Sequence, residues 1–171
     1  MRTKNIISLL FVLLLLGLTV FFLFNKIQKT QLKKEVYSSI PSFQILDING
    51  AIIKEASLQE YRTVMFLYFN PDCDLCRDEI IQIKKNKSAF SQGKIVFFSE
   101  SPADSIRRFL QTIDFEPLPN MLFLPDENAI LINKMEVKTA PTIYIYRQGQ
   151  LFKRFNGPVK IETLIQYLTG E

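Results

Sequence analysis

Cys73 and Cys76 are the only cysteines in the chain, and they stand three residues apart in Cys73-Asp74-Leu75-Cys76. On a helical turn, residues i and i+3 share a side, so the two sulfurs come close enough to bond. The segment falls where an apolar run ends and a helical pattern begins. A sulfur at the start of a helix meets unpaired N–H groups and the positive end of the dipole, which favour the reactive thiolate. The chemistry these residues suggest is thiol–disulfide exchange. Two alternatives stand beside it. Half a zinc site would need a second ligand pair, from another part of the chain or from a dimer. Inert core thiols would have no reason to fall together at a strand-to-helix corner.

Composition narrows the choice. The chain has 171 residues, a net charge of +4, and neither His nor Trp. Without His there is no His-based triad, and the commonest metal ligand and general base are both missing. No metal site and no cofactor are expected. The small positive charge is a matter of solubility, and no run interleaves basic and aromatic residues, so no nucleic-acid partner is expected.

The elements that must position the cysteines follow from the hydrophobic pattern. The run 64–69 is continuously apolar, as suits a strand buried on both faces. Asn70-Pro71-Asp72 stops it, and a helix is predicted from 73 to 88 with Asp72 as N-cap. Cys76, Ile80 and Ile83 fall on one face of that helix. A short strand at 42–46, an Asn49-Gly50 turn and residues 51–54 read as a hairpin, followed by a helical turn at 57–60 capped by Ser57. Further strands are predicted at 94–99, 121–124, 142–146 and 151–155, with helices at 102–113, 126–135 and 160–168. The alternation implies an α/β fold with a mostly parallel sheet and a late antiparallel hairpin.

Ahead of this domain, residues 6–24 carry no charge and extend roughly 28 Å as a helix, enough to span a bilayer core of about 30 Å. The run is longer than a signal-peptide core and lacks small residues spaced for cleavage, so an uncleaved transmembrane anchor is expected. The division is a short tail at 1–5, the anchor at 6–24 in lipid, a Lys-rich linker at 25–39, and a folded domain at 40–171. Arg2 and Lys4 flank one side of the anchor, and Lys26, Lys29, Lys33 and Lys34 with Glu35 the other. This distribution gives no clean orientation. Export of the C-terminal domain to the periplasm or cell exterior follows instead from the chemistry, since thiol recycling is needed where the surroundings are oxidising.

The strand at 64–69, the Cys-x-x-Cys on the next helix and Thr139-Ala140-Pro141-Thr142 before a strand resemble the thioredoxin-like fold, a central mixed sheet flanked by helices. With the N-terminal strand pair, the anchor and the strand–helix insertion at 121–135, residues 40–171 resemble the membrane-anchored TlpA-type thiol–disulfide oxidoreductases. The resemblance implies that Cys73 is the nucleophile and Cys76 the resolving thiol, and that the two form a redox-active disulfide. It implies a cis bond between Ala140 and Pro141, in a loop that offers backbone hydrogen bonds to disulfide-containing protein substrates. A trans proline opening a strand is the alternative. It also implies re-reduction by a membrane electron donor.

The chain departs from that pattern in two places. Asp72 stands where the family often has Trp, and Leu67 stands where thioredoxins keep a buried carboxylate. Asp74 or Glu79 is a candidate substitute, but helix N-terminal stabilisation is the better-suited role for Asp72, Asp74, Asp78 and Glu79. Acids beside Cys73 oppose the thiolate, which points to a reductant rather than an oxidant. Two rivals remain. A peroxiredoxin-like thiol peroxidase would carry Thr or Ser at Asn70. A copper-delivery factor would add a His to the cysteine pair.

Overall fold

The structure, a computed structural model, describes residues 13–26 and 38–169. Two units are distinct, 1–36 and 37–171. In the first, residues 13–26 are helical with exposed side chains. Among the described residues no helix is long and apolar enough to cross a membrane. The anchor expected at 6–24 lies outside the described residues over 6–12 and within this helix over 13–24.

The second unit begins with a hairpin, β1 (Gln44–Leu46) and β2 (Ile52–Lys54). Its turn is closed by Asp47, whose Oδ1 accepts the N–H groups of Asn49 and Ala51 at 2.8 Å each. Gly50 takes a left-handed φ of 85° there, which glycine adopts without steric cost. Then follow β3 (Thr63–Tyr68), α1 (Asp74–Lys85), β4 (Lys94–Ser99), α2 (Ala103–Thr112), β5 (Met121–Pro125), α3 (Ile130–Lys134), β6 (Thr142–Arg147), β7 (Gln150–Asn156) and α4 (Ile161–Thr169). The main sheet runs β5-β4-β3-β6-β7. Strands β3, β4 and β5 are parallel, and β6 and β7 join antiparallel on the far side of β3. This is the α/β class with the mixed sheet that the sequence implies.

Alternation along β3 explains why its whole run is apolar. Met65 and Leu67 face one layer with Ile95, Phe97, Ile143 and Ile145, under α1, α2 and α4. Val64 and Phe66 face the other with Val96, Phe98, Tyr144 and Tyr146, under the hairpin and α3. Period-2 alternation thus serves two cores at once. Both edges are covered. Ile48 N–H donates to Phe123 O beside β5, and Ser39 bridges to Gln150 on β7. The folded unit therefore takes in Ser38 and Ser39, assigned above to the linker.

Four local expectations need correction. Helix α1 starts at Asp74 with Cys73, not Asp72, as its N-cap, and it ends at Lys85 before a 3-10 turn at Lys87–Ser91. The helical turn after β2 is Glu55–Leu58, and Ser57 lies inside it, donating to Lys54 O rather than capping. The helix expected at 126–135 is confined to Ile130–Lys134, because Ala129 is left-handed with φ 53° and a helix cannot run through it. The last three strands each run one or two residues longer than the pattern suggested.

Candidate active site

The C-terminal end of β3 delivers the chain to the cysteines. After Tyr68, Phe69 is buried and Asn70-Pro71-Asp72 turns the chain into α1. Asn70 holds the turn at both ends: its Oδ1 accepts Asp72 N–H at 2.9 Å and its carbonyl accepts Cys73 N–H at 3.0 Å. Cys73 then caps the helix, with Cys76 N–H donating to its sulfur at 3.4 Å. A sulfur therefore fills the role that an oxygen side chain usually plays at this position.

The two thiols occupy unlike surroundings. Cys73 is half-buried, whereas Cys76 is fully buried in the core layer under α1. Burial is the chief cause that pushes the Cys76 thiol up to about 12, helped by the hydrogen bond and charge of Cys73 and the charge of Glu79. A backbone hydrogen bond from Asn70 pulls the other way.

Ala140 meets them from the opposite side. Its peptide bond to Pro141 is cis. The Cys73 thiol donates to Ala140 O across 3.8 Å, although the two are 67 residues apart. The loop is tied at both ends: Thr142 Oγ1 donates to Thr139 O at 2.6 Å, and Gly157 N–H donates to Pro141 O at 2.8 Å.

The acids divide. Asp72, Asp74 and Asp78 are exposed, and of these only Asp74 lies in the first turn of α1. Glu79 is not at the helix start. It lies mid-helix, only 4% exposed, and faces the same core as Cys76. Its Oε2 accepts Val159 N–H at 2.9 Å, and among the described residues its Oε1 has no hydrogen-bond partner. Burial pushes this carboxyl above its ordinary range against the pull of the Val159 hydrogen bond. Leu67, on β3, is fully buried in apolar company, so the buried carboxylate whose charge acts on Cys76 stands on the helix rather than on the strand.

Sequence reasoning missed Tyr68. Burial raises its phenol first, and the charges of Glu100, Cys76, Asp126 and Cys73 raise it further, so the ring lies within the field of both sulfurs. Its place at the end of β3, five residues before Cys73, was the available signal. Tyr68 lines a cleft of ≈ 210 Å³ with Asn70, Glu100, Lys138, Thr139 and Ala140. Among the described residues no three Cys, His, Asp or Glu side chains gather as a metal site requires.

The AhpC/TSA family model matches residues 36–154. The chain belongs to the AhpC/TSA family. No curated protein matches the chain. Among solved structures, this AhpC/TSA member is similar to a secreted Mycobacterium tuberculosis disulfide oxidoreductase homologous to E. coli DsbE. That likeness has a TM-score of 0.65 and 17% identity over 76% of this chain and 96% of the other. StoA from Bacillus subtilis gives 0.62 and 17% over 76% and 98%. The peroxidoxin BcpB from Mycobacterium tuberculosis gives 0.65 and 13% over 77% and 94%. These likenesses establish a thioredoxin-like fold, and the family match takes in Cys73, Cys76 and the Ala140-Pro141 loop.

Proposed function

We propose that the chain is a membrane-anchored thiol–disulfide oxidoreductase of the TlpA type, reducing protein disulfides outside the cytoplasmic membrane. The observation that carries this reading is the asymmetry of the pair: a reachable Cys73 on a helix N-cap above a fully buried Cys76. Cys73, as thiolate, attacks one sulfur of a substrate disulfide. A mixed disulfide forms and the first substrate thiolate leaves. Cys76 then loses its proton and attacks Cys73, which releases the second substrate thiolate and leaves a Cys73–Cys76 disulfide. Two electrons pass to the substrate, whose thiolates take up two protons.

The resolving step needs an acceptor for the Cys76 proton, because its thiol holds that proton up to about 12. Glu79, buried with a free Oε1, is the carboxylate suited to this role. Ala140 backbone groups, beside Cys73, hold the substrate strand. A dithiol whose buried member resists ionisation does not favour the reduced form, which supports reductant over oxidant. A membrane electron donor restores the dithiol, residues 6–24 anchor the chain in lipid, and the reaction uses no cofactor.

Insulin-type disulfide reduction by the full-length chain tests the chemistry, with peroxide consumption measured in parallel. Disulfide reduction that disappears with Cys73→Ser supports the proposal. Peroxide consumption without disulfide reduction would establish the peroxidase reading instead, which the family match and the likeness to BcpB favour. Labelling of Cys73 in intact cells by a membrane-impermeant thiol reagent tests the exported orientation.

A further inference from the structure

The turn Asn70-Pro71-Asp72 separates two clefts. Asn70 lines the one that runs past Tyr68 to Ala140. Pro71 and Asp72 line another, of ≈ 260 Å³, between the start of α1 and the flank of α2. Cys73 follows directly on this ridge. The second cleft is lined by Arg77 and Arg108 with Ser101, Ser105, Thr112 and Phe109; the Thr112 hydroxyl is turned back to Arg108 O at 2.8 Å.

Both arginines are held but not neutralised. Arg77, four residues after Cys73 on α1, lies over the Phe109 ring with its Cζ 5.6 Å from the centroid. Arg108 Nη2 donates to Ser105 Oγ at 3.0 Å, which leaves its other N–H groups unused by that contact. Among the described residues neither guanidinium forms an ion pair, whereas the neighbouring Arg107 pairs with Asp104. Asp72 is the one carboxylate in the lining, so the cleft carries two positive charges against one negative.

We propose that this cleft binds a carboxylate side chain of the protein substrate, close in sequence to the cysteine being reduced. The inference rests on the disulfide-reductase reading and names the substrate class of that site. Two guanidinium-bearing side chains lining one cleft suit the planar, acceptor-only chemistry of a carboxylate. An extended chain crossing the ridge advances about 6.6 Å for every two residues, so a cysteine over Cys73 places near neighbours toward both clefts. The Ala140 side holds the backbone and the arginine side reads charge. Two clefts that share the turn leading into Cys73, one lined by Asn70 and the other by Pro71 and Asp72, suit a chain that passes over that turn.

The test uses the full-length chain in detergent and model peptides that share one disulfide. Glu, Gln or Lys stands two residues from the cysteine. The expected result is a kcat/KM for the Glu peptide about tenfold above that of the Lys peptide, with Gln between them. The ratio shrinks as salt rises, since both arginines reach solvent. Within each variant the Glu-to-Lys ratio cancels any general change in sulfur reactivity. In Arg108→Gln with Arg77→Gln the ratio falls to about one, and in Arg108→Glu it inverts. Equal rates on all three peptides in the unmodified chain, or a ratio that survives Arg108→Glu, would overturn the charge-reading cleft while leaving the reductase reading intact. Failure to reduce any peptide would remove both. Oxidised glutathione is the remaining arm: turnover faster than that of the Glu peptide would overturn a protein segment as the occupant.

Discussion

Asp126 and Glu79 are both buried carboxyl groups, 1% and 4% exposed, and burial pushes both above their ordinary range. Their oxygens are used differently. Asp126 Oδ1 accepts Ile130 N–H at 2.7 Å, and its Oδ2 accepts Leu131 and Ile132 N–H at 2.8 and 3.0 Å. Both of its oxygens are engaged in closing the start of α3. Glu79 takes one N–H and leaves Oε1 unpaired within reach of the charge on Cys76. A buried polar atom without a partner destabilises a fold and persists where it serves something else. Under the proposed cycle, the contrast places Asp126 with stability and Glu79 with the proton of Cys76.

Removing each acid in turn tests that division. Asp126→Ala strands three backbone N–H groups and is expected to lower unfolding stability by about 3 kcal/mol, read by urea denaturation. Disulfide reduction per folded molecule stays within about twofold of the unmodified chain. A rate loss as large as the stability loss would erase the distinction. Glu79→Gln should behave the other way: resolution of the mixed disulfide slows by about tenfold or more at neutral pH, measured by stopped flow. Gln keeps an oxygen for Val159 N–H but cannot take a proton, so an unchanged rate would take Glu79 out of the mechanism.

The smallest effect is on the pH dependence of stability. Because the folded chain holds the Glu79 proton more tightly than the unfolded one, the contribution of this group is greatest below the ordinary value of 4.5. It is lost as pH rises through the folded-state value. Glu79→Gln has no such loss, so its Tm should gain on the unmodified chain as pH rises from about 4.5. A Tm difference, Gln variant minus unmodified chain, that stays flat or falls over that range would mean that burial does not raise this carboxyl.

The sheet was legible because its strands are buried on both faces, so 64–69 and 94–99 stand out as unbroken apolar runs. Their order was less so, since only long-range packing brings β6 to the free side of β3. The cysteines and the Ala140-Pro141 segment were marked by residue type. The cap was misread because a sulfur at Cys73 does what Asp72 seemed placed to do. Glu79 carried a readable signal that its charge obscured. It lies three residues after Cys76 and four before Ile83, on the face that periodicity buries. Arg77 and Arg108 carried none, because packing of α1 against α2 joins residues on separate helices.

The division of labour between the two sulfurs is tested most directly by trapping. The full-length chain with Cys76→Ser is incubated with a disulfide-containing protein and acid-quenched, and the adduct is mapped by mass spectrometry. A stable mixed disulfide on Cys73, absent from Cys73→Ser, is the predicted result. No adduct in Cys76→Ser, or an equal adduct in Cys73→Ser, would contradict the assignment of Cys73 as nucleophile and Cys76 as the resolving thiol.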